Sequence, residues 1–290
     1  MARGEKLIAF GWYGGKFSHL DWLLPLLPES THFCDIFGGS AAVIINRIPS
    51  AIETYNDLDG ELVNFFRVLR NQKDALIEVI GLTPFSREEL TLACQKHTSD
   101  TTELERARRF FVRARQTRTG LAQTASPGRW AHCLLTSRAG MAGAVSRWLG
   151  SVEALPLIAQ RLLRVQIEHA PALEVIERFD SKETLFYCDP PYLHETRGDS
   201  KAYGFEMSDA EHEALARRLN QVQGKVAVSG YNSQMYQDLY CHWYCTTAPS
   251  KTIHSVKQER TELLWTNYPP PQEGVWQNLE KSSIPLFKRQ

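Results

Sequence analysis

The chain has 290 residues, 43% of them hydrophobic and 23% charged, with 33 basic side chains against 33 acidic ones. A chain of this size buries a large core as one substantial domain or two modest ones, and the composition excludes a disordered or fibrous protein. The apolar stretch at the N-terminus is too short for a signal peptide and "WLLPLLP" is cut by proline, so no membrane span is expected.

In chain order, "WYGGK" (Trp12 to Lys16) comes first. It is not a phosphate loop, because Phe17 stands where Ser or Thr would hold magnesium. Next, "THFCDIFGGSAAVIINR" predicts a strand over Thr31 to Ile36, a glycine turn, and a helix from about Ala41. "SAIETYNDLDGELVNFFRVLR" predicts a second strand, an acidic turn, and a helix with Leu62, Phe66 and Leu69 on its apolar side. This βαβα opening signals a parallel sheet with crossover helices. From about 72 to 165 the pattern is helical. Ser86 and Glu89 suggest a capping box, Leu104, Ala107, Phe111 and Ala114 recur at helical spacing, and "TGLAQTASPGRWAHCLLTSRAGMAG" suggests loops or a hairpin. Alternation returns with "TLFYCD", a helix capped by Ser208 and Glu211, "KVAVSG", "CHWYCTT" and "ELLWTNY", and the tail from Pro269 is expected to be irregular. The six cysteines form no CxxC pair, which points to a reduced, cytosolic chain. Cys241, His242 and Cys245 raise zinc, but a strand explains them as well and no metal is expected.

Zero net charge hides an asymmetry. Between Arg106 and Val152 there are nine arginines and no lysine, aspartate or glutamate. Solvated faces interleave both signs and use lysine freely, whereas arginine alone, with a planar fork for phosphates and guanine edges, points to nucleic acid.

Three turns carry the candidate chemistry. In "DIFGGSA" the glycines permit close backbone approach, and Asp57 follows 18 residues after Gly39, near the offset at which an acid binds ribose hydroxyls. An adenosine-type cofactor is implied, and the lack of a strict GxGxxG disfavours a dinucleotide. In "LFYCDPPY", Asp189 ends a strand where open α/β sheets place ligands. The two prolines stiffen the turn and remove donors, so Asp189 and a proline carbonyl make a pair of acceptors for a group with two N–H donors. Tyr192 offers a ring for stacking, a role in which its hydroxyl is dispensable.

"DPPY" after an apolar strand, "FGGSA", "YGGK" and the acid in "YNDLD", in this order, resemble the Dam-like (D12-class) adenine-specific DNA methyltransferases over almost the whole chain. The glycine turn departs from that group's usual Gly-Ala-Gly by reading Gly39-Ser40-Ala41. The resemblance implies a Rossmann-like α/β sheet with a mainly helical inserted recognition domain. Its divisions are 1–71 (cofactor-binding part), 72–165 (Arg-rich target recognition) and 166–290 (catalytic part and tail). It implies S-adenosylmethionine held by Trp12, Tyr13, Lys16, Asp35, Phe37, Gly39, Asp57 and Asp189, with Asp189, Pro190 and Tyr192 holding an adenine extruded from double-stranded DNA. Arg113, Arg115, Arg118, Arg129 and Arg138 are the candidate DNA contacts. A cytoplasmic monomer of bacterial or phage origin, of the restriction-modification kind, is the accompanying expectation. Amino methylation of cytosine in DNA, adenine methylation of RNA, and a catalytically dead DNA-binding relative are the alternatives. Cytosine ring-carbon methylation is excluded, because that chemistry needs a Pro-Cys nucleophile and the chain has no Pro-Cys pair.

Overall fold

The computed structural model describes residues 6–193, 206–249 and 261–271. The expected irregular tail lies almost entirely outside them. The strands are β1 (His32–Asp35), β2 (Ile52–Asn56), β3 (Ser137–Arg138), β4 (Met141–Ala142), β5 (Val165–Glu168), β6 (Thr184–Cys188), β7 (Lys225–Tyr231), β8 (Tyr244–Thr247) and β9 (Glu262–Thr266). Seven of them form one sheet in the order β5-β2-β1-β6-β7-β9-β8. β5, β2, β1, β6 and β7 run parallel, while β9 lies antiparallel to both β7 and β8.

β1 and β6 are buried along their whole length, as strands covered on both faces must be. Side chains alternate between two cores. Phe33, Leu185 and Tyr187 enter one with Phe10, Tyr55, Phe65 and Phe111, while Cys34, Phe186 and Cys188 enter the other with Val226, Val228 and Trp265. The fold is therefore α/β, as the element order predicted, but the sheet is mixed and not purely parallel, because β9 runs antiparallel to its neighbours.

The helices are α1 (Leu20–Leu23), α2 (Ala42–Asn46), α3 (Gly60–Asn71), α4 (Lys73–Gly81), α5 (Arg87–Ala93), α6 (Glu103–Gln116), α7 (Gly143–Leu162), α8 (Ala172–Phe179), α9 (Asp209–Leu219) and α10 (Gln234–Leu239). Asp59 starts α3 by accepting from the Glu61 and Leu62 amides at 3.0 and 3.2 Å, satisfying two of the orphan donors of the first turn. Ser208 and Glu211 form the complete capping box of α9. Ser86 caps α5 through the Glu89 amide, but the reciprocal half of the expected box is absent. The Glu89 carboxylate reaches Arg108 at 2.6 Å instead, and the Ser86 amide donates to Gln116.

Three further readings change. The "CHWYCTT" strand shrinks to Tyr244–Thr247, because Trp243 turns to donate to Asn220 Oδ1 at 2.8 Å. Val165 opens edge strand β5 rather than closing the helical segment. The helical segment also shares a core with the sheet: Phe65 of α3 stacks on Phe111 of α6 at 5.7 Å, and Phe111 meets Trp148 of α7 at 5.4 Å.

Candidate active site

β1 lies at the centre of the parallel strands with β2 on one side and β6 on the other. Strand order reverses there, and the carboxyl ends of the three strands open a crevice. Asp35 is the last residue of β1, and Asp57 and Asp189 each follow the last residue of β2 and β6. Sheet topology alone thus brings together three carboxylates far apart in sequence. A cavity of about 390 Å3 covers them.

Gly38 and Gly39 make its floor. A Cβ on Gly38 would sit 2.1 Å from the Tyr55 ring, and Gly39 adopts φ +49° with the Trp12 indole 2.7 Å from where its Cβ would be. Only glycine fits either position. Ala41 also lies in the left-handed region, at φ 58°. That is the third position of the turn, where the resembled group tends to carry glycine. Asp57 holds the turn in place: Oδ2 accepts from the Gly39 amide and Oδ1 from the Asp59 amide, both at 2.9 Å. Burial raises its carboxyl to about 6, against the pull of these amides.

Asp35 is 1% exposed and neither carboxylate oxygen has a hydrogen-bond partner. Burial, then the neighbouring Asp189 and Asp57 carboxylates, push it well above the usual range. A buried acid in this state calls for a cation or donor from a ligand.

Lys16 is the hub of the turn that follows β6. It is 3% exposed, and its ammonium reaches Gly14 O at 2.8 Å, Asp189 Oδ1 at 2.7 Å and the Tyr192 hydroxyl at 2.5 Å. Those three acceptors use its three protons. A second carboxylate, Glu262 of β9, stands 3.3 Å away and accepts from the Tyr192 hydroxyl at 2.5 Å. Burial alone would lower the Lys16 ammonium, but Asp189 and Glu262 outweigh it and raise it. Asp189 itself is raised to about 6 by burial, which exceeds the opposing pull of Lys16.

All eight residues expected to hold the cofactor line the cavity. Lys16, however, is spent on Asp189 and Tyr192 of the turn after β6. Pro190 is buried, and Pro191 faces the cavity instead. Tyr192 departs from the expectation of a bare stacking ring. It is 3% exposed, its ring meets Tyr231 edge-on at 4.5 Å, and its hydroxyl bridges Lys16 and Glu262. Glu262 was not legible, because nothing in "ELLWTNY" distinguishes its acid from a solvated strand end. Gln123 and Leu173 also line the cavity with no motif to announce them.

The arginines divide. Arg106 pairs with Glu61, Arg108 with Glu89 and Glu105, and Arg109 with Glu105. All three acids stand before the run in sequence, so the charge excess of the run is partly cancelled in space. Arg113 donates to Ala93 O at 2.8 Å and lies 3.8 Å from Glu61, so its fork is already engaged within the protein, contrary to its selection as a DNA contact. Arg115 is turned inward, and burial pushes it down to about 10. Arg118, Arg129 and Arg138 remain exposed. The first two flank the Thr117–Trp130 bridge, and Arg138 sits in the β3–β4 hairpin.

The sequence profile of the D12 class N6 adenine-specific DNA methyltransferases matches residues 12–261. The chain belongs to that family. This D12 class enzyme is a site-specific DNA methyltransferase that uses S-adenosylmethionine to methylate the exocyclic amino group of adenine. It is 26% identical to the type II methyltransferase M1.LlaDCHI of Lactococcus lactis subsp. cremoris, across 89% of this chain and 94% of that one. It is 24% identical to the DNA adenine methylase of Vibrio cholerae, across 79% and 83%. Among solved structures, the rRNA methyltransferase AviRa of Streptomyces viridochromogenes aligns over 87% of this chain and 82% of its own, at 14% identity and TM-score 0.35. The donor set fits the cofactor: Asp35 lacks a partner and suits an ammonium, and Phe37, Ala172 and Leu173 supply apolar walls. No group of three or more metal-ligating side chains occurs among the described residues, and no described helix is long and apolar enough to cross a membrane.

Proposed function

We propose that the D12 class reaction is carried here by Asp189, poised by Lys16, at the mouth of a cofactor cavity closed by Asp35 and Asp57. The observation that carries this reading is the 2.7 Å Lys16–Asp189 pair beside two further carboxylates in one crevice. Bound S-adenosylmethionine supplies an electrophilic methyl group on a sulfonium. Asp35 takes its ammonium and Asp57 its ribose hydroxyls, using acceptor capacity left after the Gly39 and Asp59 amides. Trp12, Tyr13, Phe37 and Gly39 shape the walls.

Adenine's amino nitrogen is a poor nucleophile because its lone pair is delocalised into the ring. Asp189 and a backbone carbonyl of the Pro190–Pro191 turn accept its two N–H groups, which returns the lone pair to nitrogen for attack on the methyl group. Preorganised acceptors avoid reorganising dipoles during transfer. An Asp189 of raised proton affinity is suited to take the proton that the methylated nitrogen sheds. The target base must leave the duplex to reach this depth, at a cost of roughly a few kcal/mol. Arg118, Arg129 and Arg138 hold the phosphates or read base edges, on the segment between about 72 and 165.

Single-turnover methylation of a duplex with adenine at the target position, beside a second duplex with 2-aminopurine there to report extrusion, tests this reading. Asp189→Asn and Asp189→Ala lose most of the transfer rate while keeping DNA affinity, because phosphate contacts lie elsewhere. Near-normal turnover by Asp189→Ala would sink the mechanism.

A further inference from the structure

The assigned roles leave unused the buried acid that stands beside Lys16 and Tyr192. Glu262 is the first residue of β9, 5% exposed, and pairs across the sheet with Tyr231 of β7. Its Oε1 accepts from the Tyr192 hydroxyl at 2.5 Å and lies 3.3 Å from the Lys16 ammonium. Counting protons fixes the direction of each bond. Lys16 spends three protons on Gly14 O, Asp189 and the Tyr192 hydroxyl, so that hydroxyl accepts from Lys16 and must donate elsewhere. Two carboxylates stand near it, Glu262 and Asp189. Were it to donate to Asp189, it would occupy an oxygen that the target amino group needs.

We propose that Glu262 is a positioning residue for methyl transfer: it accepts the hydrogen bond of the Tyr192 hydroxyl and shares the Lys16 charge, which leaves Asp189 open to the adenine amino group. The proposal rests on the reading of Asp189 as the amino acceptor. Glu262 touches neither substrate nor cofactor, and it acts through Tyr192 and Lys16.

Electrostatics adds a signed consequence. Among the described residues, Asp189 is faced by Lys16, by Glu262 and Tyr192, by Asp35 at the end of β1, by Tyr187 and Cys188 from β6, and by Tyr236 from α10. Glu262 raises the proton affinity of Asp189, while Lys16 and the nearby Tyr192 hydroxyl lower it. Neutralising Glu262 therefore lets Asp189 ionise at lower pH.

The test uses Glu262→Gln, Glu262→Asp and Asp189→Asn in the full-length enzyme. Carboxyl 13C signals of aspartate-labelled protein without cofactor are titrated, the Asp189 signal being assigned by its loss in Asp189→Asn. For Glu262→Gln the Asp189 midpoint moves down by roughly half to one pH unit, and the acid limb of kcat moves with it. Its kcat at neutral pH falls roughly tenfold, while affinities for cofactor and DNA are unchanged. Glu262→Asp keeps the charge but retracts from Tyr192, so its kcat falls and its midpoint stays. An unmoved midpoint in Glu262→Gln, or wild-type kcat in Glu262→Asp, overturns the proposal while an inactive Asp189→Asn leaves the reading of Asp189 standing. An active Asp189→Asn brings down both.

Discussion

Asp35 and Asp57 show how a single residue links folding to binding. Both carboxyls are raised above their ordinary value chiefly by burial. A raised acid stabilises the fold fully only below its unfolded value near 4, and that contribution is lost as pH rises through the folded value, about 6 for Asp57. The cofactor-free enzyme therefore loses stability from these groups between acid and neutral pH. Asp35→Asn removes the effect at one site, so the free protein melts higher at pH 8 with little change at pH 4. The same variant binds S-adenosylmethionine roughly ten- to hundredfold more weakly, the usual worth of a charged hydrogen bond. On the proposed reading, an ammonium docked on Asp35 also drives its proton off. Calorimetry at pH 7 should give a binding enthalpy that scales with the ionisation enthalpy of the buffer in wild type and less so in Asp35→Asn. A buffer-independent enthalpy in wild type would place the cofactor ammonium elsewhere. Tyr192 gives a sharper reversal at this scale. Since its hydroxyl bridges Lys16 and Glu262, Tyr192→Phe should lose rate substantially, where a ring used only for stacking would lose little. Single-turnover kinetics beside Tyr192→Ala decides between the two.

At the scale of elements, each arginine is defined by what surrounds its helix or loop. Those on the first three turns of α6 meet acids from α3, α5 and α6 itself, whereas Arg118, Arg129 and Arg138, outside the α-helices, have no acid paired with them among the described residues. Alanine at each of these three should flatten the slope of log affinity against log salt by roughly 0.9 where the contact is a phosphate. An arginine reading a base relaxes site choice instead, by about 1–3 kcal/mol. Arg113→Ala should leave the slope alone and lower the melting temperature, since its guanidinium is engaged with Ala93 O and Glu61. Salt titrations on cognate duplex check all four. The same contrast explains what the sequence could reveal. Strands β1, β2, β6 and β7 and the three site turns are legible because apolar runs, glycines and acids report local geometry. The Glu61, Glu89 and Glu105 partners of the arginine run are not, because a run of like charge reports only its own span and a tertiary ion pair leaves no mark on spacing. Glu262 escapes for the same reason: it enters the site only because β9 inserts beside β7.

At the scale of the whole molecule, the question is whether residues 72–165 form a separate domain. Sequence pattern divides them from the sheet, since periodicity switches from strand to helix. Packing unites them. Phe10, Phe65, Phe66, Phe110 and Phe111 form one aromatic cluster, and Arg161 of α7 reaches into the sheet to grip buried Glu53 of β2 through two 2.6 Å bonds. Such a pair is costly to break, because either partner left alone is a buried charge. The helical segment should therefore open with the sheet and not before it. Phe111→Ala, at a fully buried position of α6, is expected to cost about 3–5 kcal/mol. Native-state hydrogen exchange then discriminates: amides of α6 and of β6 should exchange through the same global opening, and both should lose the same free energy in Phe111→Ala. If α6 loses protection while β6 keeps its wild-type value, the segment is an independently folding recognition domain and the shared core is not what holds it.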